Sequence, residues 1–403
     1  MRKTLSYIFL IIVLTAFQAC TERFYPPTET FEDLMVVEAT LTDELKHHQV
    51  SLTRTYRFEE VESQPPVVDN AEVVISDDLG NEYVFEYDAA KRTYVSLTEF
   101  QALPDREYKL DITTGNGHKF TSTPQTLPTA NSVEVTAERK EVDGEVGVQI
   151  QVDSYDPTNS SQFYRYEYSE TYKVVAPMWY SLEVYLDPTG STPEETFKVR
   201  PRDTSTQVCY STNVSDNIIL TTTSDLSEDR VADFPVRFIS QNDYTISSQY
   251  SILVTQYVEN YDTYLYYKTL KEVSGSEGEE VLSPTQPGYI IGNINSVKNP
   301  DTKILGRFDV SSVSSQRIFF EYEDFFPGEP LPPYFYECEE IEINIYDPPG
   351  EFGIDPKDVL TGMINTKSHL LYQYSPPNIF VMVAPECTDC TTYSSNIKPD
   401  FWP

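Results

Sequence analysis

An all-β protein is predicted: an N-terminal immunoglobulin-like sandwich followed by a larger β-rich domain with one helix. Three observations predict it. Apolar and polar residues alternate with a period of two in one short segment after another. Turn residues separate these segments at short intervals. Thirty tyrosines beside 28 prolines suit strands divided by hard turns. With only 15 glycines, collagen-like and Gly-rich low-complexity structure is excluded.

Length and charge bound the rest. A chain of 403 residues corresponds to about two to three domains. Its 39% apolar content is enough to build a core and argues against extended disorder. A formal charge of −35 repels nucleic acid and anionic lipid surfaces, so neither is expected as a partner.

The chain opens on Arg2 and Lys3, followed by an apolar run from Leu5 to Phe17. The run is too short to span a bilayer and has the plan of a secretory signal peptide. It ends at Phe17-Gln18-Ala19-Cys20. A small residue directly before Cys is the plan of a bacterial lipoprotein signal. There the Cys20 thiol takes a diacylglycerol and its freed amine is acylated, which anchors stably. Cleavage before Cys20 removes two cations and no acids, moving the formal charge from −35 to −37. No later segment is long and apolar enough to span, so the membrane is engaged through the lipid anchor alone. Residues 1–19 are read as signal peptide and 20–30 as a tether stiffened by Pro26 and Pro27.

Residues 31–127 read as the sandwich. Leu34 to Leu41 is apolar and β-branched, and Val50, Leu52, Arg54 and Tyr56 alternate with Ser51, Thr53 and Thr55. Val73-Val74-Ile75 and Tyr83-Val84-Phe85 flank Asp77-Asp78-Leu79-Gly80-Asn81, a hairpin. Tyr108, Leu110 and Ile112 lead to a second hairpin at Gly115-Asn116-Gly117. About seven strands in this span is the arithmetic of an immunoglobulin-like sandwich. Pro124 and Pro128 mark the linker.

Residues 128–403 stay β. Val148, Ile150 and Val152 alternate, and later strands are expected at 218–220, 236–239, 252–258, 289–291, 304–310, 318–322, 341–346 and 379–383. One helix is expected at 260–273, where Tyr266, Leu270 and Val273 share a face.

Five cysteines occur. The four beyond Cys20 are Cys209, Cys338, Cys387 and Cys390. An oxidising envelope implies two disulfides, with three pairings open. Zinc at Cys387-Thr388-Asp389-Cys390 lacks a second ligand pair nearby, so neither metal nor cofactor is expected. Of the four histidines, His47 and His48 are adjacent and read as a solvated loop, His118 flanks a hairpin, and His369 stands alone. No catalytic motif is present. The functional candidates are aromatic. Tyr164, Tyr166 and Tyr168 share one face of a strand, and the chain ends on Phe401-Trp402. Each forms either packing or a surface for ligand or partner.

The chain resembles, over residues 20–403, a family of Bacteroidota lipoproteins known as domain of unknown function 4249. The resemblance is carried by Cys20, Leu34-Met35-Val36-Val37-Glu38 with Leu41-Thr42-Asp43, and Val50-Ser51-Leu52-Thr53-Arg54-Thr55. It continues through Ile291-Gly292-Asn293-Ile294, Gly306-Arg307-Phe308, Cys387-Thr388-Asp389-Cys390 and Lys398-Pro399-Asp400-Phe401-Trp402. Ser394-Ser395 stand where the family often has a glycine pair. The resemblance implies an outer-membrane lipoprotein, often encoded beside TonB-dependent receptors, and no catalytic residues. The expected function is that of a non-enzymatic accessory or ligand-binding partner of an outer-membrane transporter. The rivals are a surface hydrolase of glycan or peptide and a surface adhesin or assembly subunit.

Overall fold

A computed structural model describes residues 32–56, 64–274, 290–350 and 353–403. The expected signal peptide, Cys20 and tether lie outside the described residues. The chain is mostly strand, as its periodicity requires.

The N-terminal module contains β1 (Met35–Thr42), β2 (Gln49–Arg54), β3 (Glu72–Asp77), β4 (Glu82–Asp88), β5 (Thr93–Ser96), β6 (Glu107–Thr113), β7 (Lys119–Ser122) and β8 (Gln125–Thr126). Hydrogen bonding runs in the order β1-β2-β5-β4-β3-β6-β7, with β8 beside β6. Alternation sets the faces: Tyr108, Leu110 and Ile112 are buried, while Lys109 and Asp111 are half-buried. The two expected hairpins form, with Gly80 and Gly117 at φ +85 and +82.

A second module stacks two sheets. One joins β9 (Val133–Val142), β10 (Glu145–Asp156) and β16 (Asp229–Ser240). The other joins β11 (Phe163–Val175), β14 (Val208–Val214), β15 (Ile219–Thr222) and β17 (Tyr250–Val258). Val148, Ile150 and Val152 of β10 share one core with Ile252 and Val254 of β17. The hairpin of β12 (Leu182–Leu186) and β13 (Phe197–Pro201) projects from this module. Helix α1 (Tyr261–Ser274) follows β17, where the sequence placed a helix. It is held by its buried Thr263 and by Phe163, whose ring lies 5.3 Å from Tyr261 and 5.2 Å from Tyr264.

The modules share a strand. Beyond β18 (Ile294–Ser296) comes β19 (Ile304–Phe320), 17 residues long. Its first half pairs in parallel with β1, Met35 opposite Ile304 through Thr42 opposite Ser311. Its second half pairs antiparallel with β17, Ser312 opposite Val258 through Phe320 opposite Tyr250. The strands expected at 304–310 and 318–322 are therefore one. The run between them, Ser311 to Arg317, has no apolar residue except Val313, which hid the continuity. β18 pairs with β7, and Ile291 bridges Leu305, so the first sheet curls round to meet β19. Ile294, Ile304, Phe308 and Val310 belong to the N-terminal core. The boundary expected at residue 127 thus does not enclose that core.

The last unit is β20 (Ile341–Asn344), β21 (Leu370–Ser375) and β22 (Ile379–Val383), packed with β12 and β13 around Phe197, Ile343, Leu371, Phe380 and Met382. It includes α2 (Pro356–Thr366). The expectation of one helix is corrected here: α2 has an Asp355 N-cap accepting from the Lys357 N–H at 2.9 Å, proline in the first turn, and Leu360 buried. Single-turn helices occur elsewhere in the described residues.

Candidate ligand-binding groove

A groove of about 770 Å³ separates α1 from β1, the start of β2 and the first half of β19. Its size is that of a small-molecule site. Tyr266, Tyr267 and Leu270 of α1 line one wall, and Glu38, His48 and Arg307 line the opposite side. Two glycines let three segments of backbone meet beneath it. A Cβ on Gly306 would stand 1.9 Å from the Val37 carbonyl oxygen, and one on Gly292 would stand 1.6 Å from the Gly306 oxygen. Only glycine allows either approach. Asn293 then clamps the strand: its Nδ2 donates to the Phe308 carbonyl at 2.7 Å and its Oδ1 accepts from the Phe308 N–H at 3.0 Å.

Behind the groove, where β19 changes partners, charged groups are buried. The Arg165 Nε donates to Glu259 at 2.7 Å, and its guanidinium lies between the rings of Tyr257 and Tyr267, 4.1 and 4.6 Å from their centroids. Ser311 donates to the other Glu259 oxygen at 3.3 Å. Asp309 is buried and accepts from the Thr40 hydroxyl at 3.1 Å. Burial, reinforced by the Glu259 charge, pushes its carboxyl up to about 7, although Arg165 and Arg307 oppose the shift. Arg307 donates from Nε to Thr263 at 3.1 Å and from a terminal nitrogen to Gln125 at 3.2 Å. Desolvating such charges costs several kcal/mol per ion before pairing offsets it. The cluster therefore fixes one relative placement of β1, β11, β17, β19 and α1.

His48 is not in a solvated loop: it is buried, with its ring edge-on to Phe100. Its Nε2 lies 2.9 Å from the Phe100 carbonyl. A carbonyl only accepts, so Nε2 carries the hydrogen. Burial pulls the imidazole down to about 4 and keeps it neutral at neutral pH. Nδ1 is buried without a hydrogen-bond partner. Because the hydrogen on Nε2 is held by a main-chain carbonyl, the ring is fixed as a wall of the groove. What the arrangement can do is bind and orient a small molecule.

The aromatic candidates separate. Tyr164 and Tyr166 are fully buried in the second core and Tyr168 packs at its margin, so this stripe is packing and not a ligand platform. The Tyr164 hydroxyl donates to Asp229 at 2.7 Å and the Tyr166 hydroxyl donates to Gln256 at 3.1 Å. Arg237 approaches the face of Tyr168. Trp402 is only 6% exposed, edge-on to Tyr210 and Phe319 at 5.1 and 5.7 Å. Phe401 is partly exposed and carries the Arg317 guanidinium 3.6 Å above its ring. The tail is docked.

Disulfides complete the docking. Cys209 pairs with Cys390 and Cys338 with Cys387. Cys387 and Cys390 thus belong to different bridges, which removes the zinc reading. Tyr210 and Ser395 exchange main-chain hydrogen bonds at 2.8 and 3.2 Å beside the first bridge.

The fold and the groove define a β-rich protein with a shared strand, a polar junction and an open groove. The family model for the domain of unknown function DUF4249 matches residues 21–317, and the chain belongs to that family. No curated protein matches the chain. Among solved structures, the chain is similar to trypsin activated alpha-2-macroglobulin from Escherichia coli. The identity is 7% and the TM-score 0.16, over 58% of this chain and 15% of that one. The chain thus matches well under a fifth of that relative's length. It is also similar to the B domain of a biofilm associated protein, at 8% identity and TM-score 0.14, over 72% of this chain and 88% of that one. The BSP domain gives 8% and 0.15, over 90% and 80%. Likenesses this weak carry no argument.

Proposed function

We propose that the protein is a lipid-anchored component of the bacterial outer membrane. In this reading it is a non-enzymatic accessory or ligand-binding partner of a TonB-dependent transporter. The observation that carries the reading is the cysteine pairing. Four of five cysteines are joined in two bridges, which suits an oxidising envelope. The fifth is Cys20, placed where a lipoprotein signal needs its acylated thiol. The groove supplies a place for a small ligand, and the resemblance to Bacteroidota lipoproteins supplies the transporter. Replacing Cys20 tests the anchor. Cys20→Ala leaves the precursor uncleaved by the lipoprotein peptidase and abolishes its labelling by a radioactive fatty acid. Maturation of the wild type that is insensitive to globomycin contradicts the reading.

A further inference from the structure

Arg307 is only 6% exposed, yet the two hydrogen-bonded partners of its guanidinium, Thr263 and Gln125, are both neutral. Glu38 stands opposite it in the β1–β19 ladder and Asp309 lies two residues along. Neither forms an ion pair with it, and the remaining terminal nitrogen has no protein acceptor among the described residues. Among the described residues, every other arginine this deeply buried has a carboxylate: Arg165 has Glu259, and Arg202 has Asp389 at 3.4 Å. The Asp309 charge acts on it only from a distance, and a buried cation whose hydrogen bonds all go to neutral groups is incompletely compensated. Arg307 lines the groove, which gives an anion a route to it.

The walls narrow the ligand class. Tyr266, Tyr267 and Leu270 offer flat and branched apolar surface, and His48 adds a neutral ring. Glu38, exposed at the rim, repels a second negative charge, and Lys46, the cation in the same lining, is already paired with Glu44. We infer that the groove binds small organic monocarboxylates, with the carboxylate on Arg307 and an aromatic or branched apolar body against Tyr266, Tyr267 and Leu270. This rests on the reading of the protein as a binding protein and names its ligand class. A carboxylate suits the guanidinium fork, and low dielectric at a buried arginine strengthens the pair.

The test uses a matched pair of probes, naphthalene-1-acetate and its neutral amide, titrated calorimetrically into the purified full-length protein. The acid is expected to bind at least ten-fold more tightly than the amide. Arg307→Gln is expected to erase that preference and Arg307→Lys to retain part of it. The wild-type ratio needs no variant, so a misfolded Arg307→Gln protein does not rescue the inference. Equal binding of acid and amide overturns it, as does binding of neither at millimolar concentration. A preference that survives in a folded Arg307→Gln protein also overturns it. Recovery of a transporter with the protein from membranes is a separate readout and is untouched by failure at Arg307.

Discussion

At the residue scale, the groove and the junction behind it set two opposing pH responses. Burial, with the Glu259 charge beside it, raises the Asp309 carboxyl from 3.8 to about 7 on folding. Between these values the folded state keeps a proton that the unfolded state has lost. Its favourable contribution is therefore present below about pH 4 and is lost as pH rises to 7. His48 runs the other way. Its value falls from 6.5 to about 4 on folding, so its contribution is present above 6.5 and is lost as pH falls to 4. Urea unfolding across pH separates them. Asp309→Asn should gain stability relative to wild type as pH rises from 4 to 8, and His48→Gln should gain as pH falls from 7 to 4. Curves parallel to wild type contradict both assignments. Little of this was legible in the sequence. Arg307 stands in the Gly306-Arg307-Phe308 segment, which carried the family resemblance, but burial of a charge depends on which strands meet over it. The tyrosine alternation was legible as a face, and the face proved to be core.

At the element scale, β19 decides how the modules depend on each other. Residues 28–127 lack Ile294, Ile304, Phe308 and Val310, which complete their core, and they expose the edge of β1. An unpaired edge and a missing core wall both oppose folding. A 28–127 fragment should show no cooperative unfolding by circular dichroism, and joining residues 290–312 to it through a flexible linker should restore the transition. Phe308→Ala in the whole protein should cost about 3 to 5 kcal/mol in denaturant unfolding. A cooperative transition in the 28–127 fragment alone shows that the shared strand is dispensable. The short N-terminal strands and hairpins were readable because alternation and turn glycines are local signals. The joining of 304–310 to 318–322 was not, because a strand that leaves one core and enters another passes through polar sequence. Helix α2 did leave a local signal, Asp355-Pro356 followed by Val359, Leu360, Met363 and Ile364 at helical spacing.

At the scale of the whole molecule, the Cys209–Cys390 bridge and Trp402 hold the tail against the second module, and the Cys338–Cys387 bridge ties it to the segment that leads into β20. The Cys209–Cys390 bridge closes 181 residues. Cys209→Ala with Cys390→Ala should lower stability by roughly 2 to 5 kcal/mol, and Trp402→Ala by roughly 1.5 to 3 kcal/mol through lost burial. Deleting residues 386–403 should lower the melting temperature of the isolated protein. An unchanged melting temperature contradicts docking. An even number of cysteines led to the expectation of two disulfides, and terminal aromatics to that of a docked tail or one inserted in a partner, but pairing is a matter of distance in space and three connectivities fitted equally. The proposed role is that of a lipid-anchored partner of a transporter. Its most direct measurement is quantitative mass spectrometry of the tagged full-length lipoprotein purified in mild detergent from its native membranes. The expected result is a TonB-dependent β-barrel receptor recovered at near-equal molar amount. Recovery of the lipoprotein alone, or with no barrel above the level of an untagged control, contradicts it.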